Sequence, residues 1–215
     1  MPLAGRPMVE WSIAAFRAAE VRSIVVSCPP GHVHDLAGGD VGVVNGGATR
    51  AESVRNALEA VGTELVAIHD AARPLVTPEL IEGVAATLLA DPEAAGAIAA
   101  VPVADTLKRA APSGAGCNAL SPEKGDNALH PGAIEVTVGR EDLWAAQTPQ
   151  VFHVGALREA AAGDPERLMA ATDEAMLIEA AGGRVLIHPS SAENLKVTTP
   201  TDLRLAELLL QRSGH

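Results

Sequence analysis

The chain has 215 residues, 47% of them hydrophobic and 20% charged, with 27 acidic against 16 basic side chains and a formal charge of −11. That length supports one domain with a sizeable core. Aromatics at 2% leave the core to Val, Leu, Ile and Ala, and with the acidic balance they exclude the stacking platforms and phosphate footprint of nucleic-acid binders.

Along the chain, short apolar runs alternate with helical segments. Residues 7–19 put Met8, Trp11, Ala15 and Phe16 on one helical face, with Pro7 at a first-turn position. Short β-branched runs follow at Ser23–Ser27 and Val41–Val44, the second stopped by Asn45-Gly46-Gly47. Thr49-Arg50-Ala51-Glu52 is a capping box opening a helix to about Val61. Leu65–Ile68 is a continuous apolar run of the kind buried in a parallel sheet. Thr77-Pro78-Glu79 opens the next helix, and Ala97–Val101 is a further strand. The rhythm breaks from Thr106 to Arg140, a stretch with three Pro and four Gly before Gly139 that ends in the alternating run Ile134–Val138. It is expected to be an extended β-arm with a structureless middle, roughly Ala111–Pro131. The pattern resumes with a helix from Thr172 closed by Gly182-Gly183, a strand at Arg184–His188 and a terminal helix to about Arg212. The whole is one α/β domain over 1–215: an open, mostly parallel twisted sheet covered on both faces, with 106–140 as an excursion.

Cys28 and Cys117 make no disulfide framework, and no Cys/His zinc spacing occurs. No run of 18 apolar residues and no signal-type start is present, so a reducing, cytoplasmic setting is expected. The residues best placed for chemistry are His69-Asp70-Ala71-Ala72-Arg73-Pro74. An acid just past an apolar strand sits at the carboxyl edge of the sheet, where open α/β folds bind ligands. Asp70 suits a hard cation such as Mg²⁺, and Arg73 offers a planar fork to a phosphate. A strand that simply ends in a polar turn would look the same. Asn45–Ser53 is a glycine-containing turn feeding a helix N-terminus, which fits either an anion or base contact or a turn needing positive φ. Lys196 stands out because the chain has only three lysines, and it lies in a β-type run. Thr172 is explained by a helix cap, Arg140 by a solvated charge, and His69 by a structural role.

In order, Gly46-Gly47-Ala48-Thr49-Arg50-Ala51-Glu52-Ser53-Val54, His69-Asp70-Ala71-Ala72-Arg73-Pro74, Asp105-Thr106-Leu107-Lys108, Thr148-Pro149-Gln150, Thr172-Asp173-Glu174 and Asn194-Leu195-Lys196-Val197-Thr198 resemble the 2-C-methyl-D-erythritol 4-phosphate cytidylyltransferases of the non-mevalonate isoprenoid pathway. The resemblance implies a Rossmann-like nucleotidyltransferase fold and a homodimer built through the 106–140 arm. It implies that the substrate's phosphate attacks the α-phosphorus of Mg²⁺-bound CTP and expels pyrophosphate. Carried over by motif, Gly46, Gly47, Ser53 and Ala71 would contact the cytidine. Asp70 would serve metal and substrate, and Lys196 the triphosphate. Thr106 and Arg140, at the roots of the arm, would reach the methylerythritol phosphate of the partner subunit. Arg73, Thr148 and Thr172 would line the substrate pocket. Lys196, Asp70 and Arg140 are thus the expected catalytic residues.

The arm is longer than the family usually has. The family also begins with a strand and a Gly-rich CTP loop, P-A-A-G-x-G-x-R followed by P-K-Q, which nothing here matches; Met1–Pro7 aligns just after it, as an internal start methionine would. The missing strand would lie inside the sheet. The alternatives are a cytidylyltransferase for another polyol phosphate such as ribitol 5-phosphate, and a non-catalytic relative that keeps the dimer and the pocket.

Overall fold

Strand-forming runs and helix caps fall where their side chains dictate. A computed structural model describes residues 2–32, 40–111, 133–162 and 171–212. Pro2–Leu3 (β1) pairs with Arg6–Pro7 (β2), and helix α1 follows at Met8–Ala18. Ile24–Cys28 (β3) pairs in parallel with Val41–Asn45 (β4), Ile24 opposite Val41. Thr49 caps α2 (Arg50–Glu59) by accepting the Glu52 N–H, as the capping box predicts. Then come β5 (Leu65–Ile68), α3 (Pro78–Leu89, capped by Thr77) and β6 (Gly96–Pro102).

The later part holds β7 (Leu107–Ala110), β8 (Ile134–Val138), β9 (Trp144–His153), α4 (Val154–Ala161), α5 (Glu174–Ala180), β10 (Val185–Pro189) and α6 (Pro200–Arg212). Two units form, one of residues 1–101 with 146–215 and one of 102–145.

In the first unit a four-stranded sheet runs β10-β6-β9-β5, with β6 and β10 parallel and β5 antiparallel to β9. The two sides of the sheet bury separate apolar clusters. Ile98 and Phe152 join Leu58, Leu157 and Ile178, whereas Ala97, Ala99 and Val151 join Val84 and Leu88. Alternate residues of β6 and β9 go to opposite clusters, as the period of two requires. Gly96 is fixed by packing: a Cβ there would lie 2.3 Å from the Phe152 ring.

Three sequence expectations change. The run Leu65–Ile68 is half-buried and meets an antiparallel partner, because β9 supplies its ladder. That partner is not among the strands expected from the sequence, and Gln147, Thr148, Pro149 and Gln150 within it are polar or lack an N–H. They are nevertheless buried, and the Thr148–Pro149 peptide is cis. The run around Lys196 is an extended loop instead of a strand, tied down by the Val197 N–H donating to the Ala72 carbonyl at 2.7 Å.

Among the described residues β3 and β5 each have a strand neighbour on one side only. Their other edges line one cavity of about 950 Å³, together with Val9, Ile13 and Phe16 of α1 and Val54 and Ala57 of α2.

In the second unit β7 and β8 form the antiparallel pair expected of the arm, Leu107 opposite Val138, with an irregularity at Arg109/Ala110. Lys108 Nζ donates to Thr137 Oγ1 at 2.7 Å. Arg140 donates to the Ala104 carbonyl, and the Val103 N–H donates to the Leu143 carbonyl at 3.0 Å, closing the base of this unit. The expected structureless middle, from 112 to 131, lies outside the described residues.

Candidate active site

β5 ends at Ile68 and delivers His69 and Asp70 to the carboxyl edge of the sheet. The chain then turns back, the Arg73 N–H donating to the Asp70 carbonyl at 2.8 Å. The Asp70 carboxylate is held from two sides. Lys196 Nζ lies 2.8 Å from Oδ2, and Arg50 Nε lies 3.2 Å from Oδ1. Burial of Asp70 raises its pKa, but Lys196 and Arg50 outweigh burial and hold the carboxyl below the usual range, so it is ionised. The other arm of Arg50 donates to Glu174 Oε1 at 2.6 Å. Glu174 is almost fully buried in the first turn of α5, and burial raises its pKa despite Arg50.

A cleft of about 230 Å³ is lined by Arg50, Asp70, Arg73, Thr148, Thr172 and Lys196, with Gln147, Gln150 and Asp173 at its sides. Its floor is polar and buried. Asn194 Nδ2 donates to Gln147 Oε1 and to the Thr148 carbonyl, both at 2.9 Å. Gln150 Nε2 donates to Asp173 Oδ2 at 2.9 Å. Arg73 donates to the Asn194 carbonyl at 2.7 Å. The cap of α5 is Asp173, whose Oδ1 accepts the Met176 N–H at 3.0 Å, so Thr172 stands one residue before the cap and lines the cleft.

Ser53, Asp70 and Ala71 border the large cavity beside Arg50. Gly46 and Gly47 sit on the loop before α2, and neither has positive φ. What requires glycine is space: a Cβ on Gly47 would lie 2.2 Å from Glu52 Cβ. The Gly47 N–H donates to Ser53 Oγ at 3.0 Å and the Ala48 N–H to Glu52 Oε2 at 2.7 Å. Thr106 and Arg140 belong to the second unit.

His69 is half-buried as a residue, but both ring nitrogens are bonded within the protein, and desolvation pushes its pKa down to about 4. Its ring tilts against Phe16, centroids 5.5 Å apart.

The tertiary structure thus brings together Asp70, Arg73, Thr148, Thr172 and Lys196, and adds Arg50, Glu174, Gln147, Gln150 and Asn194. Arg50 carried a signal: a cation in the first turn opposes the helix dipole and needs an anion nearby. Glu174 carried none, because an acid in a first turn is ordinary. A single ionised carboxylate at a cleft mouth suits a cation that takes its remaining ligands from phosphate oxygens and water, as Mg²⁺ does. Among the described residues no group of three or more His, Cys, Asp or Glu could hold a metal by itself.

A family model described as 2-C-methyl-D-erythritol 4-phosphate cytidylyltransferase matches residues 1–212. A protein of that name from Burkholderia cenocepacia is 41% identical over 99% of this chain and 87% of its own length. One from Syntrophotalea carbinolica is 38% identical over 100% and 88%. The crystal structure of the Thermus thermophilus enzyme superposes with a TM-score of 0.76 at 35% identity, covering 98% of this chain and 92% of that one.

Proposed function

This chain belongs to the 2-C-methyl-D-erythritol 4-phosphate cytidylyltransferase family, a family of nucleotidyltransferases, and from that premise we propose how its cleft moves CMP from CTP to 2-C-methyl-D-erythritol 4-phosphate. The observation that carries the reading is the Asp70 carboxylate held between Lys196 and Arg50, at the mouth of a cleft that also gathers Arg73, Thr148 and Thr172.

In the transfer a phosphate oxygen of the acceptor attacks the α-phosphorus of CTP. The new P–O bond forms as the bond to the β-phosphate oxygen breaks, and pyrophosphate leaves. No covalent intermediate on the protein is needed, so the work is positioning and charge neutralisation. Lys196 leaves Asp70 to neutralise the triphosphate as negative charge builds on it. Arg50 stays anchored by Glu174 and keeps the Asp70 side chain in place. Asp70 would hold Mg²⁺, which when bound neutralises phosphate oxygens. Arg73 takes the acceptor side, with Thr148 and Thr172 lining the same cleft. The loop carrying Gly46 and Gly47, with Ser53 of α2 and Ala71 at the large cavity, receives the cytidine. Thr106 and Arg140 of a partner subunit reach the acceptor phosphate, in a homodimer made through the 106–140 arm. A cytoplasmic setting agrees with the two cysteines, and no helix among the described residues is long and apolar enough to cross a membrane.

The test is pyrophosphate release by the purified 215-residue chain with CTP, Mg²⁺ and either 2-C-methyl-D-erythritol 4-phosphate or ribitol 5-phosphate. Release with the first acceptor, lost in Asp70→Asn, is the expected result. Equal kcat/KM for ribitol 5-phosphate would overturn the acceptor assignment, and absence of release with either would overturn the activity of this chain.

A further inference from the structure

Two hydrogen bonds join the 69–73 loop to Thr148 and a third closes the loop on itself, and the directions of all three can be assigned. His69 Nε2 lies 3.0 Å from the Arg73 carbonyl oxygen, which only accepts, so Nε2 carries the ring proton. Nδ1 is then a lone-pair acceptor, 3.0 Å from Thr148 Oγ1, and the single hydroxyl proton must point at it. The same Oγ1 accepts the Asp70 backbone N–H at 3.0 Å. Every hydrogen in the chain Asp70 N–H, Thr148 O–H, His69 Nε2–H, Arg73 carbonyl is therefore placed, and all point one way.

Two consequences follow for the site. Thr148 has no proton left to donate to a phosphate, although its side chain borders the cleft. Asp70 is held twice over: its carboxylate by Lys196 and Arg50, and its backbone by Thr148. If the imidazole proton moved to Nδ1, Thr148 Oγ1 would face two donors and the His69–Arg73 bond would break. The direction of the relay thus depends on His69.

We propose that His69 is a positioning residue for Asp70, acting through the Thr148 hydroxyl, and that Thr148 serves the reaction as a strut for Asp70 instead of as a donor to substrate phosphate. The inference deepens the proposed function, because it takes Asp70 as the group that meets the metal and the reacting phosphates.

The experiment compares Thr148→Val, Thr148→Ser, His69→Phe, His69→Asn and the His69→Phe/Thr148→Val double variant of the full chain. Valine keeps the shape of threonine and removes the relay, whereas serine keeps the hydroxyl. Phenylalanine removes both ring nitrogens, and the asparagine amide oxygen can stand in for Nδ1. Two readouts are needed: Mn²⁺ affinity without nucleotide, and kcat and KM for the acceptor with CTP and Mg²⁺. Thr148→Val and His69→Phe should each lower kcat about 10- to 100-fold and weaken Mn²⁺ binding, with acceptor KM changed less than about twofold. Thr148→Ser and His69→Asn should restore most of both, and the double variant should be no worse than the weaker single one. A rise in acceptor KM at constant kcat in Thr148→Val, multiplicative losses in the double variant, or unchanged Mn²⁺ affinity overturns the proposal. Should His69→Phe fail to fold by circular dichroism, the Thr148→Val and Thr148→Ser pair decides it on the same criteria. Mn²⁺ binding is checked against Asp70→Asn and needs no turnover, so an inactive wild type refutes the function while leaving this arm intact.

Discussion

Acidification from pH 8 to pH 5 should destabilise this protein, and His69 is a reason. In the native chain its pKa is pushed down to about 4 by desolvation, against a value of 6.5 when exposed. Between those two values the unfolded chain binds a proton that the native chain does not, so stability rises with pH across the window and falls on acidification. From pH 8 to pH 5 the loss is about 2 kcal/mol, reduced toward about 1 kcal/mol where water reaches the ring from the adjoining cavity. For a domain of this size that is a fall in Tm of roughly 2–8 °C beyond any change shared with a non-titrating variant. The assay is thermal unfolding by circular dichroism at pH 8 and pH 5, for the wild type and His69→Asn. The variant melts lower at pH 8, since it loses a bonded ring, but its Tm should change less between the two pH values. The Glu174 contribution is common to both proteins and cancels in the difference. Identical pH dependence in the two would refute the reasoning.

Other perturbations separate chemistry from stability. Lys196→Ala should lower kcat at least about 100-fold by removing a transition-state charge, with Tm within about 2 °C, because its side chain is 45% exposed and touches no core; a large fall in Tm counts against the assignment. Arg50→Ala strands the buried Glu174 carboxylate and should cost about 2 kcal/mol, less than a fully enclosed pair because Arg50 is 37% exposed. That cost should shrink as the pH is lowered, because protonation of a carboxyl already raised by burial relieves the stranded charge; a cost independent of pH sinks the idea. Gly47→Ala, with its Cβ 2.2 Å from Glu52 Cβ, should displace the loop before α2 and weaken CTP binding about tenfold by calorimetry while acceptor binding holds. Asp202 accepts the Thr198 and Thr199 N–H groups at 3.0 and 2.8 Å, which hold its pKa down to about 2. Its support for α6 is present above pH 4 and lost as pH falls toward 2, so wild type and Asp202→Asn should differ in Tm at pH 7 and converge at pH 2.

Local chemistry was enough to read most elements of this protein. Thr49, Thr77 and the Gly182-Gly183 pair mark helix ends because caps satisfy backbone groups within a few residues of themselves. The position of Asp70 after an apolar strand followed from the same short-range logic. Where backbone pairing joins distant segments, the sequence was silent. β9 was hidden because Gln147, Thr148 and Gln150 look solvent-seeking until Asn194, His69 and Asp173 supply their partners, which lie 23 to 79 residues away. The antiparallel setting of β5, the loop conformation around Lys196 and the use of Asp173 as the cap of α5 depend likewise on which segments meet. Arg50 and Glu174 are separated by 124 residues, and only the fold that brings the first turns of α2 and α5 within reach makes them a pair. Short-range caps and periodicity determined what each segment became, and the tertiary structure alone decided how those segments hold one carboxylate from both sides, because ion pairs and relays depend on distance in space and leave no period in the chain.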